Sequence, residues 1–151
     1  MRTKFSFDTN ILIYAAEQDN AGKNLIARDL IRDSHANDAG AITEQSVTEF
    51  LSAATRKGNI PFRDAAAYVQ DILELFDLLL ARQDIVHRTL DVLSRHRLSV
   101  WDARMVALCG THDYTVLFSE DMQDHGLYDG VRVINPFRSS NRNIVEEVLN
   151  S

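Results

Sequence analysis

Short apolar runs alternate with longer stretches of helical periodicity along almost the whole chain, and that alternation constrains the fold more than any other feature. Runs at residues 4–8, 41–43, 115–118 and 131–134 are rich in aromatic or β-branched residues and too short for helices. Apolar residues recur at helical spacing over residues 11–16, 25–31, 46–56, 62–75, 85–96 and 101–112. Residues 77–80 read equally as a short buried strand or as the end of the preceding helix. Strands separated by helices build a parallel sheet, because the crossover lets the next strand run in the same direction. The expected fold is therefore α/β, a three-layer α/β/α domain with a central, mainly parallel sheet. Asp19 to Gly22 and Gly58-Asn-Ile-Pro61 are the clearest breaks between helices. Residues 1–137 read as one domain. Residues 138–151 read as a polar tail with room for one or two helical turns at 143–149.

A chain of 151 residues suits a single core. The one cysteine, Cys109, excludes an intramolecular disulfide and sits among apolar neighbours, where packing is its expected role. No apolar run approaches the roughly 18 residues that span a bilayer. The start of the chain lacks the long apolar core of a secretory signal. A soluble, cytoplasmic protein with no membrane partner is expected. The net charge of −6 argues against a nucleic-acid surface built from basic residues alone. That objection weakens if clustered carboxylates capture a divalent cation, which reverses the local field. Lys23, Arg28, Arg56, Lys57 and Arg104 are candidates for a phosphate-facing rim.

In doubly wound sheets, ligands lie beyond the carboxyl ends of the strands. Four acidic residues occupy such places. Asp8 follows the first strand, and Glu49 lies in the first turns of the helix after the second. Asp102 opens the helix at 101–112, and Asp121 follows the strand at 115–118. Each has a purely structural alternative. Ser46-Val-Thr-Glu49 matches a capping box, and Ser99-Val-Trp-Asp102 has the same spacing with Asp in place of Glu. Asp8 and Asp121 also read as ordinary turn residues.

Taken together, the four point to chemistry. Carboxylates held close repel, so they take up protons or hold a cation. Oxygen-only ligands favour Mg²⁺ or Mn²⁺, and such an ion serves phosphodiester hydrolysis. No Gly-rich phosphate loop and no convincing Ser/His/Asp set competes. A phosphoacceptor receiver domain also gathers carboxylates around Mg²⁺, but it needs a lysine after a late strand, and Thr115 to Asp121 contains none.

Phe7-Asp-Thr-Asn10, followed by Ile11-Leu-Ile-Tyr14, resembles the opening of PIN domains. Thr48-Glu-Phe50 is similar to their second acidic segment. Leu98-Ser-Val-Trp-Asp-Ala-Arg-Met-Val-Ala107 resembles the third acidic motif of VapC-type toxins. Leu117-Phe-Ser-Glu-Asp-Met-Gln-Asp124 and Gly130-Val-Arg-Val-Ile-Asn-Pro-Phe137 are similar to the closing segments. The likeness runs in order over residues 4–137.

The resemblance implies metal-dependent cleavage of single-stranded or looped RNA by the toxin of a toxin–antitoxin pair. It implies Asp8 and Asp102 as direct ligands of Mg²⁺ or Mn²⁺. Glu49 and Asp121 would bind a second ion, hold the attacking water or help activate it. Asn10 and Ser119 would position the carboxylates through hydrogen bonds. Asp124 is either an extra acidic member or a solvated turn residue. A homodimer and a cognate antitoxin, entering the acidic groove with a basic side chain, are the implied partners beside RNA. Two other readings stay open: a housekeeping PIN nuclease for RNA processing or DNA ends, and a non-catalytic binding module whose carboxylates cap helices. Trp101 is expected to pack against the core, with stacking on a base as the alternative. His125 is expected to be a mobile turn histidine, since no second histidine falls at ligand spacing.

Overall fold

The computed structural model describes residues 2–57 and 59–151, with backbone alone at Lys57. Chain order is β1 (Phe5–Phe7), α1 (Thr9–Ala16), α2 (Ala21–His35), β2 (Gly40–Thr43), α3 (Glu44–Lys57), α4 (Phe62–Leu75) and β3 (Asp77–Leu79). It continues with α5 (Ile85–Arg95), α6 (Val100–Thr111), β4 (Val116–Phe118), β5 (Leu127–Tyr128), β6 (Val131–Ile134) and α7 (Arg142–Asn150). The strands form one sheet in the order β3-β2-β1-β4-β6-β5. All neighbours are parallel except β5, which runs antiparallel to β6. This is the expected mainly parallel sheet between two helical layers.

Side-chain alternation along the strands divides the core. Phe5, Phe7, Ile42, Val116, Phe118 and Ile134 pack with α1 to α4 and α7 on one face. Leu117 and Val131 pack with α5 and α6 on the other. Phe5, Phe7 and Phe118 are fully buried, and each contributes roughly 1.5–3 kcal/mol through lost apolar surface. Phe5 meets Phe118 edge-on, with ring centroids 5.5 Å apart. Gly40 opens β2 against this aromatic cluster: a Cβ there would stand 2.8 Å from Phe5 Cε2.

The strand order also sets the location of a crevice. The chain lays β1, β2 and β3 outward in one direction, then returns to place β4 on the other side of β1. Crossovers therefore diverge between β1 and β4, the switch point at which open α/β sheets bind ligands.

Several elements differ from the sequence expectation or resolve it. Residues 77–79 are a parallel strand paired with β2, which settles the ambiguity there. The two-residue β5 was not expected. Helix α3 begins two residues ahead of Ser46, because the Thr43 hydroxyl already accepts the Ser46 amide at 3.0 Å. Ser46 instead donates its hydroxyl to Phe7 O at 2.7 Å, so the capping box that was the structural alternative there is replaced by a tie between α3 and β1. At Ser99 the cap does form: its side chain accepts the Asp102 amide at 3.1 Å. The segment read as a polar tail carries α7, whose Val148 and Leu149 join the core. The break expected at Gly58 and the rim role expected of the Lys57 side chain lie outside the described residues. No helix among the described residues is long and apolar enough to cross a membrane.

Candidate active site

Register brings the first two polar positions together. Phe7 pairs with Phe118, so the next residues, Asp8 and Ser119, leave the sheet side by side. The Asp8 amide donates to Phe118 O at 2.9 Å, extending the ladder by one bond. Asp8 also caps α1, its Oδ1 accepting the Thr9 amide at 2.7 Å. Its Oδ2 accepts the Ser119 hydroxyl at 2.7 Å. The residue is only 5% exposed. Burial pushes its carboxyl up to about 6, against the restraint of the Ser119 and Thr9 bonds, and the charges of Asp121 and Asp102 push the same way.

The other acidic residues stand around this edge. Asn10 Nδ2 donates to Asp121 Oδ2 at 3.2 Å and to Ser119 Oγ at 3.3 Å. The Asp121 amide donates to Ser119 Oγ at 3.0 Å, so one buried hydroxyl joins Asp8, Asn10 and Asp121. Glu49, on α3, accepts the Thr9 hydroxyl at 2.8 Å and Gln45 Nε2 at 2.8 Å. Asp102, in the first turn of α6, has its carboxyl raised by burial and by the charges of Asp121 and Glu49. The four carboxylates thus occupy one edge, linked by mutual repulsion and by bonds through Thr9, Asn10 and Ser119.

Asp124 is not among them. Its carboxylate accepts the Asn135 amide at 2.8 Å and Asn141 Nδ2 at 2.9 and 3.0 Å. That makes it neither an extra acidic member nor a solvated turn residue, but an anchor for the segment leading into α7. His125 beside it binds Asn141 Oδ1 through Nε2 at 2.8 Å, so it is a tethered turn histidine. The prediction for Trp101 is corrected. Its side chain lies in solvent, 63% exposed, because the first turn of α6 stands at the rim of the crevice and faces outward.

Among the described residues, no group of three or more His, Cys, Asp or Glu side chains stands close enough to enclose a metal ion. The donor set nevertheless suits one kind of ion. The charged donors there are carboxylates, no cationic side chain among the described residues is bonded to Asp8 or Asp102, and both carboxyls are raised by burial and by neighbouring carboxylates. Mg²⁺ keeps most of its water and takes one or two carboxylates plus substrate phosphate, so it needs no closed cage. Asp8 and Asp102 are the residues that could hold such an ion, with Asp121 and Glu49 on the same edge.

The profile of the PIN domain family matches residues 6–125, a span that contains all four of these carboxylates. The chain belongs to the PIN domain family. Solved structures agree on the fold of this PIN domain. A toxin–antitoxin complex from Klebsiella pneumoniae is 21% identical with a TM-score of 0.59, covering 88% of this chain and 98% of that one. The Mycobacterium tuberculosis toxin VapC20, described as cleaving the sarcin-ricin loop, is 17% identical with a TM-score of 0.66, covering 85% and 99%. VapBC2 from Rickettsia felis, solved with a DNA fragment from its promoter, is 10% identical with a TM-score of 0.64, covering 87% and 97%. No curated protein matches by sequence.

Sequence reasoning about this PIN domain missed three contributors. Thr9, the residue after Asp8, donates its hydroxyl to Glu49. Gln45 holds Glu49 Oε1 and the Trp101 carbonyl, the latter at 2.9 Å; its i, i+4 spacing to Glu49 was the available signal. Glu120 receives Lys23 at 2.6 Å and the Tyr14 hydroxyl, pinning α2 to the loop that carries Asp121. Lys23, expected on a phosphate rim, is engaged in that pair. Arg56 and Arg104 instead line a groove beside Glu49, and Arg28 is exposed on α2.

Proposed function

We propose that this PIN domain is an Mg²⁺- or Mn²⁺-dependent endoribonuclease, the toxin of a toxin–antitoxin pair. It works in the cytoplasm as a homodimer held in check by its antitoxin. The observation that carries this reading is the Asp8 carboxyl, buried at the switch point and pushed up to about 6 while Asp121 and Asp102 face it. A fold that keeps such an anion without a cationic partner gains most from a divalent ion supplied from outside.

Asp8 and Asp102 would hold the ion, and Asp121 and Glu49 would orient the attacking water and help take up its proton. Ser119 and Asn10 fix the carboxylate rotamers, so that the lone pairs point into the crevice before substrate arrives. A bound divalent ion supplies charge neutralisation at the scissile phosphate and a more acidic water. Support for RNA as substrate and for an antitoxin partner comes from the toxins that share the fold, one of which is described as cleaving the sarcin-ricin loop.

The test is cleavage of RNA with Mg²⁺ or Mn²⁺ by the wild type, Asp8→Asn and Asp102→Asn. Loss in both variants supports the reading; undiminished cleavage in both overturns it. Growth arrest on expression, relieved by the product of the adjacent reading frame, separates a toxin from a housekeeping nuclease.

A further inference from the structure

The only tryptophan of the chain lies exposed one residue before Asp102. An indole is costly to leave in water, and nothing in the packing of this fold requires it there. Its backbone is nonetheless fixed, since Gln45 Nε2 donates to the Trp101 carbonyl at 2.9 Å. The ring borders a groove of about 670 Å³ between α3 and α6, within the size range of small-molecule pockets. Thr9 and Glu49 form the wall nearest the carboxylates, and Arg56 and Arg104 stand on the groove's own lining.

Arg104 is preorganised. Its guanidinium donates to Gln45 Oε1 and Glu44 Oε1, each at 2.8 Å, and that anchorage leaves further N–H groups of the fork without a partner among the described residues. Only Ala53 and Trp101 among the lining residues are apolar. That is too little to seat the hydrophobic face of a peptide helix, which needs several anchors along a groove. One flat ring beside fixed guanidinium donors fits a different ligand.

We infer that this groove is a subsite for one unpaired nucleotide of single-stranded RNA, its base stacked on Trp101 and its phosphate held by Arg104 and Arg56. The inference rests on the nuclease reading above and adds to it the element that selects unpaired RNA. A duplex keeps its base faces covered, so it cannot use an exposed indole; a single strand can. The groove leads the strand past Glu49 toward Asp8 and Asp102, which places the stacked nucleotide next to the scissile bond.

Because the chain has no other tryptophan, its emission reports on this ring alone. Full-length protein carrying Asp8→Asn, to prevent turnover, is titrated in Mg²⁺ with a single-stranded oligoribonucleotide and with the matching duplex. Saturable quenching by the single strand, and none by the duplex at equal concentration, is the expected result. In cleavage assays on the otherwise wild-type chain, Trp101→Ala raises KM on the order of 10-fold with kcat nearly unchanged, and Trp101→Phe restores most of the loss. Arg56→Ala lowers the salt dependence of binding by about one phosphate contact.

Unchanged emission at single-stranded RNA concentrations above the wild-type KM overturns the inference, as does equal quenching by duplex. The two readings fail separately. If the wild type cleaves RNA and the emission does not respond, the subsite is wrong and the function stands. If the emission responds and the wild type cleaves nothing, the function is wrong and the subsite stands.

Discussion

Two sets of aspartates in this molecule sit in opposite electrostatic settings. Asp124 and Asp129 face donors and cations. Asp124 is penalised by burial, but the Asn135 amide and Asn141 more than compensate, and its carboxyl falls below the usual range. Asp129 is lowered by Arg95 and then by His96, which binds it at 2.9 Å. Asp8 and Asp102 are buried or half-buried, face other carboxylates, and are raised. The first pair needs nothing more to be stable as anions. On the proposed reading the second pair is completed by a cation from solution, and that contrast separates a structural carboxylate from a functional one more clearly than position in the sequence does.

The contrast breaks first at Asp8. Asp8→Asn should lower ribonuclease turnover on the order of 10²–10³-fold. It should also raise metal-free stability at pH 7 by on the order of 1–3 kcal/mol, because a neutral amide carries no burial penalty for charge. Paired turnover and denaturation measurements check both. A variant that loses activity and stability together would place Asp8 in the first set.

Ser119→Ala should act next, lowering turnover about 10–100-fold. Loss of its hydroxyl removes one of the bonds that restrain the Asp8 carboxyl, so the acid limb of the pH–rate profile should move to higher pH. Asp124→Asn should behave in the reverse manner, with turnover per folded molecule near wild type. Stability should fall by about 1–3 kcal/mol as the anchor of the chain leading to α7 weakens.

The pH dependence of metal-free stability sharpens the comparison with opposite signs. The Asp8 carboxyl is raised in the fold, so its stabilising contribution is complete below about 3.8 and is lost as pH rises through about 6. Asp124 and Asp129 are lowered, so theirs is present above their ordinary value and is lost as pH falls through the depressed one. Urea midpoints across this range should show the first slope vanish in Asp8→Asn and the second remain. The smallest effect belongs to Arg95→Ala, which removes an exposed partner of Asp129 and should leave the neutral-pH midpoint almost unchanged.

Local chemistry explains what could be read from the sequence. Phe5 and Phe7 alternate with Ser6, and Val116 and Phe118 with Leu117, which announced strands; parallel pairing followed from the helices between them. With parallel strands, the residues after β1 and β4 had to leave at one edge, so the neighbourhood of Asp8 and Ser119 followed from topology. The start of α3 was read about two residues late because Thr43 and Ser46 are both good caps, and the choice turns on where β2 ends.

The role of Asp124 depends on Asn141, on the far side of β6, a contact no local pattern encodes. Strand β5 has only two residues, yet its signal was present: Asp129-Gly130 takes positive φ at both positions, the turn that closes a tight hairpin. Trp101 was assigned to the core on its apolar character, whereas its exposure is set by how α6 leans against the sheet. The helix buries Ala103, Met105 and Val106 and turns Trp101 outward.

The central claim is that the carboxylates at the β1–β4 crevice share a divalent ion. Carbon-detected NMR titration of the Asp8 carboxyl, without metal and with saturating Mg²⁺, tests it most directly. The account predicts a midpoint near 6 in the metal-free protein and a fall of more than about one unit when Mg²⁺ is added. The same midpoint in both titrations would contradict it.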